Sequence, residues 1–119
     1  MFLKLAHMNM EVYKSSYSLT LEVYKITKIL PESEKFNLIS QLRRAALSVH
    51  LNLAEGSSRK SEVEKKRYYE IARGSVIEID AALDIVVGLE YAAIERLSKL
   101  GDFIVLTFKL LSGLIDKQE

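Results

Sequence analysis

Apolar residues recur every three or four positions along nearly the whole chain. This spacing is typical of helices that bury one face, and it differs from the strict alternation expected of strands. The periodicity predicts four helices joined by short connections, over residues of about 11–30, 38–55, 61–89 and 94–115. Since short joints make successive helices antiparallel neighbours, we expect one all-α domain over residues 1–119, an antiparallel up-down-up-down four-helix bundle.

Local signals set the expected helix ends. Pro31 should end the first helix, because proline lacks the amide hydrogen and forces the preceding residue out of the helical region. Gly56 lies where a C-terminal glycine cap is expected for the second helix. Ser61 and Glu64 have the capping-box spacing, in which Ser61 caps the third helix and Glu64 reaches back.

Two helices carry more apolar surface than a bundle core requires. The first helix has two apolar stripes, one of which consists of Tyr13, Tyr17, Leu21 and Tyr24. On the second helix, Leu47 and Leu51 point away from the main apolar face. Because a bundle helix needs only one apolar stripe of about 100°, we predict a homo-oligomer with Leu47 and Leu51 at its interface. The alternative is an irregular bundle that buries both faces internally.

A polar stripe runs along the second helix between its two apolar faces. Its residues are spaced by three or four positions and are Gln41, Arg44, Ser48, Asn52 and Glu55. The third helix offers Ser75 and Glu78 as partners, and buried polar groups need partners. We interpret the stripe as an interhelical hydrogen-bond network in which Arg44 pairs with Glu55 or Glu78. The alternative is an anion site built by Arg43 and Arg44, in which Arg43 projects outward and is the better candidate for an external phosphate.

The charge of the chain is unevenly distributed. The 119 residues carry 17 Lys and Arg against 16 Asp and Glu, a formal charge of +1. Residues 1–73 nevertheless have a net charge of +5 and residues 74–119 a net charge of −4. The basic residues that we expect to contact nucleic-acid phosphates are Arg43, Arg59, Lys60, Lys65, Lys66, Arg67 and Arg73. Because Glu62, Glu64 and Glu70 are interspersed among them, the alternative is an ordinary solvated helix face.

The residues that usually carry catalysis are sparse. The chain has no cysteine, and its histidines are His7 and His50. We expect His50 to be a surface or interface residue rather than a base. A di-iron bundle site needs Glu-x-x-His pairs, which this sequence lacks, and it has no phosphate-binding glycine loop or zincin motif. We therefore expect no enzyme activity, metal, cofactor or small-molecule substrate.

No segment resembles a targeting or membrane element. The N-terminal residues lack a long apolar run with a small-residue cleavage site, and no apolar stretch reaches the ~18 residues of a spanning helix. We expect a cytoplasmic protein without a membrane partner.

Three motifs carry a resemblance to a known family. They are residues 41–48 (QLRRAALS), residues 52–56 (NLAEG), and residues 69–75 (YEIARGS) together with Glu78. In these motifs the chain resembles the bacterial four-helix-bundle family named for proteins encoded in intervening sequences of 23S rRNA genes. It is also similar to the accessory variability protein of diversity-generating retroelements, although those proteins are strongly basic and this chain is nearly neutral. The resemblance implies a four-helix bundle, a ring-shaped homopentamer, a nucleic-acid-binding role and no enzyme activity.

These observations lead to one functional hypothesis and one alternative. The hypothesis is a non-enzymatic oligomeric bundle that binds RNA or DNA, rRNA among the candidates, through its basic surface. Repetition of a modest basic patch around a ring would raise its avidity. The alternative is a scaffold or adaptor whose apolar surfaces bind proteins, without nucleic-acid binding.

Overall fold

The protein folds into four long helices, which a computed structural model describes over residues 1–117. A short 3₁₀ turn at Ala6–Asn9 precedes them, and their bounds are α1 Glu11–Thr27, α2 Ser40–Ser57, α3 Glu62–Gly88 and α4 Ser98–Lys117. Helices α1 and α3 each pack against both α2 and α4, so the four helices occupy the corners of a square. The predicted all-α up-down-up-down bundle is confirmed.

One face of each helix supplies the core. The largest fully buried side chains are aliphatic and come from all four helices: Leu19, Val23, Leu42, Val49, Leu53, Val76, Ile79, Val86, Leu100 and Leu111. Two buried hydroxyls lie among them, where Ser15 of α1 and Thr107 of α4 form a hydrogen bond of 2.9 Å. Oγ of Ser15 also lies 3.2 Å from the Val12 carbonyl oxygen, so neither buried hydroxyl lacks a hydrogen-bond partner, which is the condition for burying them without a large penalty.

The observed helix ends differ from the expected ones by a few residues. Helix α1 ends at Thr27, and the chain continues to Leu30 in tighter turns before Pro31 adopts an extended conformation. A 3₁₀ turn and a π-helical turn, Glu32–Glu34 and Lys35–Ile39, then lead into α2. Before α4, residues Ile94–Leu97 form a 3₁₀ turn rather than the first turn of the α-helix. Leu30 and Leu97 are both buried, so the apolar periodicity extends past the α-helical segments and does not mark their ends.

Gly56 has a different role from the expected helix cap. It is buried within the last turn of α2, and its φ is not positive. A Cβ atom placed on Gly56 would lie 2.7 Å from Cβ of Tyr68 and 3.2 Å from the ring of Tyr69. The glycine is therefore required because α3 approaches the backbone of α2 too closely for any side chain.

The N-terminal cap of α3 follows half of the capping-box pattern. The amide N–H of Glu64 donates to Oγ of Ser61 at 3.3 Å, as expected. The Glu64 carboxylate does not bond back to Ser61; its Oε2 lies 3.9 Å from Nε of Arg59.

Among residues 1–117, no helix is long and apolar enough to cross a membrane.

Candidate nucleic-acid interface

Three cations lie at the joint between α2 and α3 without partners among residues 1–117. Lys60 and Arg67 are exposed and Lys65 is half-buried, and none of them forms an ion pair or hydrogen bond with a described residue. We refer to Lys60, Lys65 and Arg67 as the joint cations. Because their charges are not neutralised within this part of the chain, they are the basic residues best able to contact an external anion.

Arg59, also at this joint, is committed to contacts within the protein. Its Nη2 lies 3.2 Å from Oε1 of Glu55 and donates to the hydroxyl of Tyr68 at 3.1 Å. The guanidinium also stacks on the Tyr68 ring, 5.1 Å from its centroid. Arg59 therefore ties the end of α2 to the start of α3, and its charge is largely compensated.

Arg43 and Arg73 are also held against neighbouring helices. Nε of Arg43 donates to Oγ1 of Thr27 at 2.8 Å, and the guanidinium lies over the Tyr24 ring at 4.8 Å. This differs from the outward projection expected for Arg43, because α1 offers it both a hydroxyl and an aromatic face. Arg73 donates to Oγ of Ser112 at 3.2 Å and lies 5.9 Å from the Phe108 ring centroid. Lys66, the remaining predicted phosphate contact, is half-buried on the first turns of α3.

The polar stripe forms a hydrogen-bond network over only part of its length. Oγ of Ser75 donates to Oγ of Ser48 across the α2–α3 contact at 2.8 Å. The side-chain amide of Asn52 donates to Oγ and to the carbonyl oxygen of Ser48, at 3.1 and 2.9 Å. These three side chains are buried or half-buried, and they connect the two helices as expected.

The charged members of the stripe do not form the expected internal pairs. Arg44 has no ion pair within residues 1–117, and Glu55 pairs with Arg59 instead. Gln41, Arg44 and Glu78 are exposed along an open groove of about 420 Å³, whose floor contains Ser48 and Ser75. Charges at a solvent-exposed edge keep their hydration, so a pair there would gain little free energy.

The predicted interface residues lie on an exposed apolar surface. Leu47 is 40% exposed and Leu51 is 60% exposed, and Tyr17 and Leu21 of α1 are exposed to similar degrees. His50 connects the two helices, since its ring lies 6.2 Å from that of Tyr17. We call the surface formed by Tyr17, Leu21, Leu47 and Leu51 the α1–α2 face.

A second apolar surface lies on the opposite side of the bundle, and sequence reasoning missed it. It is a groove of about 360 Å³ between α3 and α4, lined by Val76, Ile77, Asp80, Ile104, Val105, Phe108 and Lys109. Ile77 and Val105 are more than half exposed. The signal that could have found it is the presence of these two apolar residues outside the core stripes of their helices. We call this surface the α3–α4 groove.

His50 belongs to the contact between α1 and α2. Its Nδ1 forms a hydrogen bond of 2.7 Å with Oγ of Ser16, whose hydroxyl also lies 3.0 Å from the Tyr13 carbonyl oxygen. The Tyr13 ring lies 4.6 Å from the His50 ring. Burial lowers the pKa of His50, and the nearby His7 lowers it further. A neutral imidazole that fills a helix–helix contact has a structural role.

In residues 1–117, no three His, Asp or Glu side chains come together to hold a metal ion.

Comparison with known proteins gives one family. The family model described as 23S rRNA-intervening sequence protein matches residues 8–113. A crystal structure of a protein with unknown function from the S23 ribosomal protein family of Bacteroides thetaiotaomicron has the same fold, with a TM-score of 0.80. It is 22% identical in sequence, and the match covers 87% of this chain and 97% of that one. No protein of curated function matches the chain.

The family match spans the three motifs on which the resemblance rests, whereas similarity to the retroelement accessory protein stays a prediction. Two of these motifs meet at the groove between α2 and α3, where Arg44 and Ser48 face Gly74, Ser75 and Glu78. The match covers most of the chain and agrees with the helical fold. The chain therefore belongs to the family of 23S rRNA-intervening sequence proteins.

Proposed function

We propose that this protein is a non-enzymatic homo-oligomer that binds the phosphate backbone of RNA or DNA through its joint cations. The observation that carries the proposal is the difference among the seven predicted phosphate contacts. Arg43, Arg59 and Arg73 are held by their own neighbours, while Lys60, Lys65 and Arg67 have no partner among the described residues. Uncompensated cations are the groups that gain free energy by releasing counterions from a nucleic acid.

The two apolar surfaces support an oligomer built head to tail. The α1–α2 face and the α3–α4 groove lie on opposite sides of one bundle, so one subunit can dock its face into the groove of the next. Such heterologous contacts generate a ring when the rotation closes. The groove carries one acidic and one basic side chain, Asp80 and Lys109, so its apolar residues would supply most of the contact. We propose a closed ring of five subunits, the number that the family resemblance implies.

A ring would compensate for the modest charge of each subunit. Bundles packed side by side in a cyclic ring have the same end at the same rim, so the joint cations of all subunits would be neighbours. Glu62, Glu64 and Glu70 reduce the field of one subunit, because they lie on the same turns of α3 and are exposed. When one nucleic acid binds several subunits at once, its overall affinity rises although each subunit makes the same contacts.

The family description makes 23S rRNA the first nucleic acid to test.

The proposal is tested by removing the joint cations. The triple variant Lys60→Gln, Lys65→Gln, Arg67→Gln should bind a fluorescent structured 23S rRNA fragment at least about tenfold more weakly in an anisotropy titration, since it loses phosphate contacts on every subunit. The matched control is Lys28→Gln, Lys35→Gln, Arg96→Gln, which removes the same charge at the opposite end of the bundle. Equal affinities of the triple variant and the wild type, or an equal loss in the control, would refute the assignment.

The second candidate function is a scaffold that binds other proteins. The α3–α4 groove favours it, because an exposed apolar groove of this size is also suited to a helix from another protein. If the wild-type protein binds no RNA or DNA at low salt, the result would favour the scaffold over nucleic-acid binding.

A further inference from the structure

A cavity lies at the end of the bundle where α1 begins and α4 ends. It has a volume of about 360 Å³, and the polar side chains that line it are His7, Ser57, Lys65, Tyr69 and Lys117. Met10 and Leu114 contribute to its apolar wall, and no carboxylate of residues 1–117 lines it. We call it the end cavity. Its volume lies within the usual range of small-ligand pockets, about 300–1,000 Å³.

We propose that the end cavity binds the phosphate group of a phosphate monoester. Lys65 comes from α3 and Lys117 from α4, so two ammonium groups reach the cavity from different helices. Neither forms an ion pair or hydrogen bond with a described residue. A monoester carries a charge of about −1.5 to −2 at pH 7 and three acceptor oxygens, which matches two lysines better than the single charge of a phosphodiester does.

The hydroxyl groups of the end cavity add donors for such an anion. Oγ of Ser57 and the phenolic oxygen of Tyr69 are 3.2 Å apart, so one hydroxyl donates to the other. The hydrogen of the accepting hydroxyl stays available, because a hydroxyl carries one donor and two acceptor positions. A phosphate oxygen beside this pair would accept that hydrogen.

His7 gives an independent reason to expect a ligand. Its Nε2 is buried and has no hydrogen-bond partner, although its ring lines the cavity and packs against Tyr13 at 5.5 Å. Buried polar atoms without a partner are rare in folded proteins and cost free energy. Because Nε2 itself is out of contact with solvent, the His7 ring would have to turn toward the cavity for a ligand oxygen to supply the missing partner.

The inference uses Lys65, which the proposed function also uses, but it needs no nucleic-acid binding. The phosphate monoester has two sources, a free nucleotide or the 5′-phosphate at the end of a nucleic-acid chain. Both would present the same group to the cavity, and the experiment below separates them.

Calorimetric titration with adenosine 5′-monophosphate tests the end cavity, with inorganic phosphate and adenosine as comparison ligands. We expect the monophosphate and inorganic phosphate to bind and adenosine not to bind. Lys117→Met and Lys65→Met should each weaken binding about tenfold or more, since each removes a charge-assisted contact. Tyr69→Phe keeps the ring and should weaken binding less, and the control Lys28→Met should leave the affinity unchanged. Absence of binding at millimolar monophosphate, or an equal loss in Lys28→Met, would overturn the inference.

A second titration separates this inference from the proposed function. Oligonucleotides of one sequence are compared with a 5′-phosphate and with a 5′-hydroxyl. Tighter binding of the phosphorylated chain, lost in Lys117→Met, would support the cavity and identify the chain end as the source. Binding of adenosine monophosphate but of neither oligonucleotide would support the cavity, identify a free nucleotide and refute the proposed function. Equal binding of both oligonucleotides without monophosphate binding would refute the cavity alone.

Discussion

At the scale of single residues, two glycines of similar sequence context have opposite structural roles. Gly56 lies where α3 touches the backbone of α2, and Gly74 lies at the open groove between the same helices. A Cβ on Gly74 would meet no atom within 4 Å, whereas a Cβ on Gly56 would lie 2.7 Å from Tyr68. The sequence pattern could not distinguish them, because the distance between helices is set by packing across the whole bundle.

Alanine at these two glycines should therefore change stability in opposite directions. Gly56→Ala should lower the free energy of unfolding by about 1–3 kcal/mol, the usual cost of forcing extra atoms into a packed contact. Gly74→Ala should raise it by about 0.5–1 kcal/mol, because alanine is the better helix former and nothing opposes its methyl group. Urea denaturation followed by circular dichroism measures both. A Gly56→Ala variant as stable as Gly74→Ala would show that the α2–α3 approach is not tight.

His50 predicts a pH dependence of stability. Burial, together with His7, lowers its pKa below the ordinary value of 6.5, so the unfolded chain binds this proton more readily than the folded protein does. The stabilisation is complete above pH 6.5 and is lost as the pH falls below it. The free energy of unfolding should thus decrease between pH 7.5 and 5.5, and His50→Gln should reduce that decrease. An identical pH profile for wild type and variant would contradict this account of His50.

At the scale of helices and the contacts between them, the sequence predicted positions better than partners. The spacing of Leu42, Val49 and Leu53 was sufficient to identify the buried face of α2, because periodicity records which side avoids water. The sequence also correctly predicted that Ser75 of α3 would contact the polar stripe of α2, where it bonds to Ser48. It could not predict that Arg43 contacts Thr27, since that contact depends on how far apart α1 and α2 lie.

The polar stripe should divide into stabilising and neutral positions. Ser75→Ala should lower the free energy of unfolding by about 1 kcal/mol, because it removes a hydrogen bond from a buried site. Arg44→Ala should change it by less than about 0.5 kcal/mol, as expected for an exposed side chain without an internal pair. Parallel urea titrations of the two variants provide the comparison. A large decrease in the free energy of unfolding of Arg44→Ala would instead support the internal ion pair that the sequence suggested.

At the scale of the whole molecule, the two apolar surfaces and the joint cations are the features that residues 1–117 of a single bundle leave exposed or without a partner. The prediction of Leu47 and Leu51 as an interface rested on the extra apolar faces of the first two helices, and only the fold revealed the α3–α4 groove opposite them. The groove requires Ile77 and Val105 to be neighbours across two helices, which a one-dimensional pattern does not encode. The two surfaces together make a head-to-tail ring the assembly to test.

Charge substitutions in the α1–α2 face should dissociate the ring without unfolding its subunits. We expect the variant Leu47→Glu, Leu51→Glu to have the mass of one 13.5 kDa chain by light scattering and a helical spectrum like that of the wild type. Val63→Glu is the matched control, because Val63 is 79% exposed near the start of α3. A wild-type protein that is already monomeric at micromolar concentration would contradict the ring, as would an unchanged mass in the double variant.

The salt dependence of binding to a structured 23S rRNA fragment tests the central claim most directly. Each phosphate contact contributes about −0.9 to the slope of log K against log salt concentration. The three joint cations of one subunit can therefore account for a slope no steeper than about −3. We predict a linear plot with a steeper slope than this, because several subunits of the ring contact the RNA together. No binding at low salt, or an affinity that does not change with salt, would contradict the account.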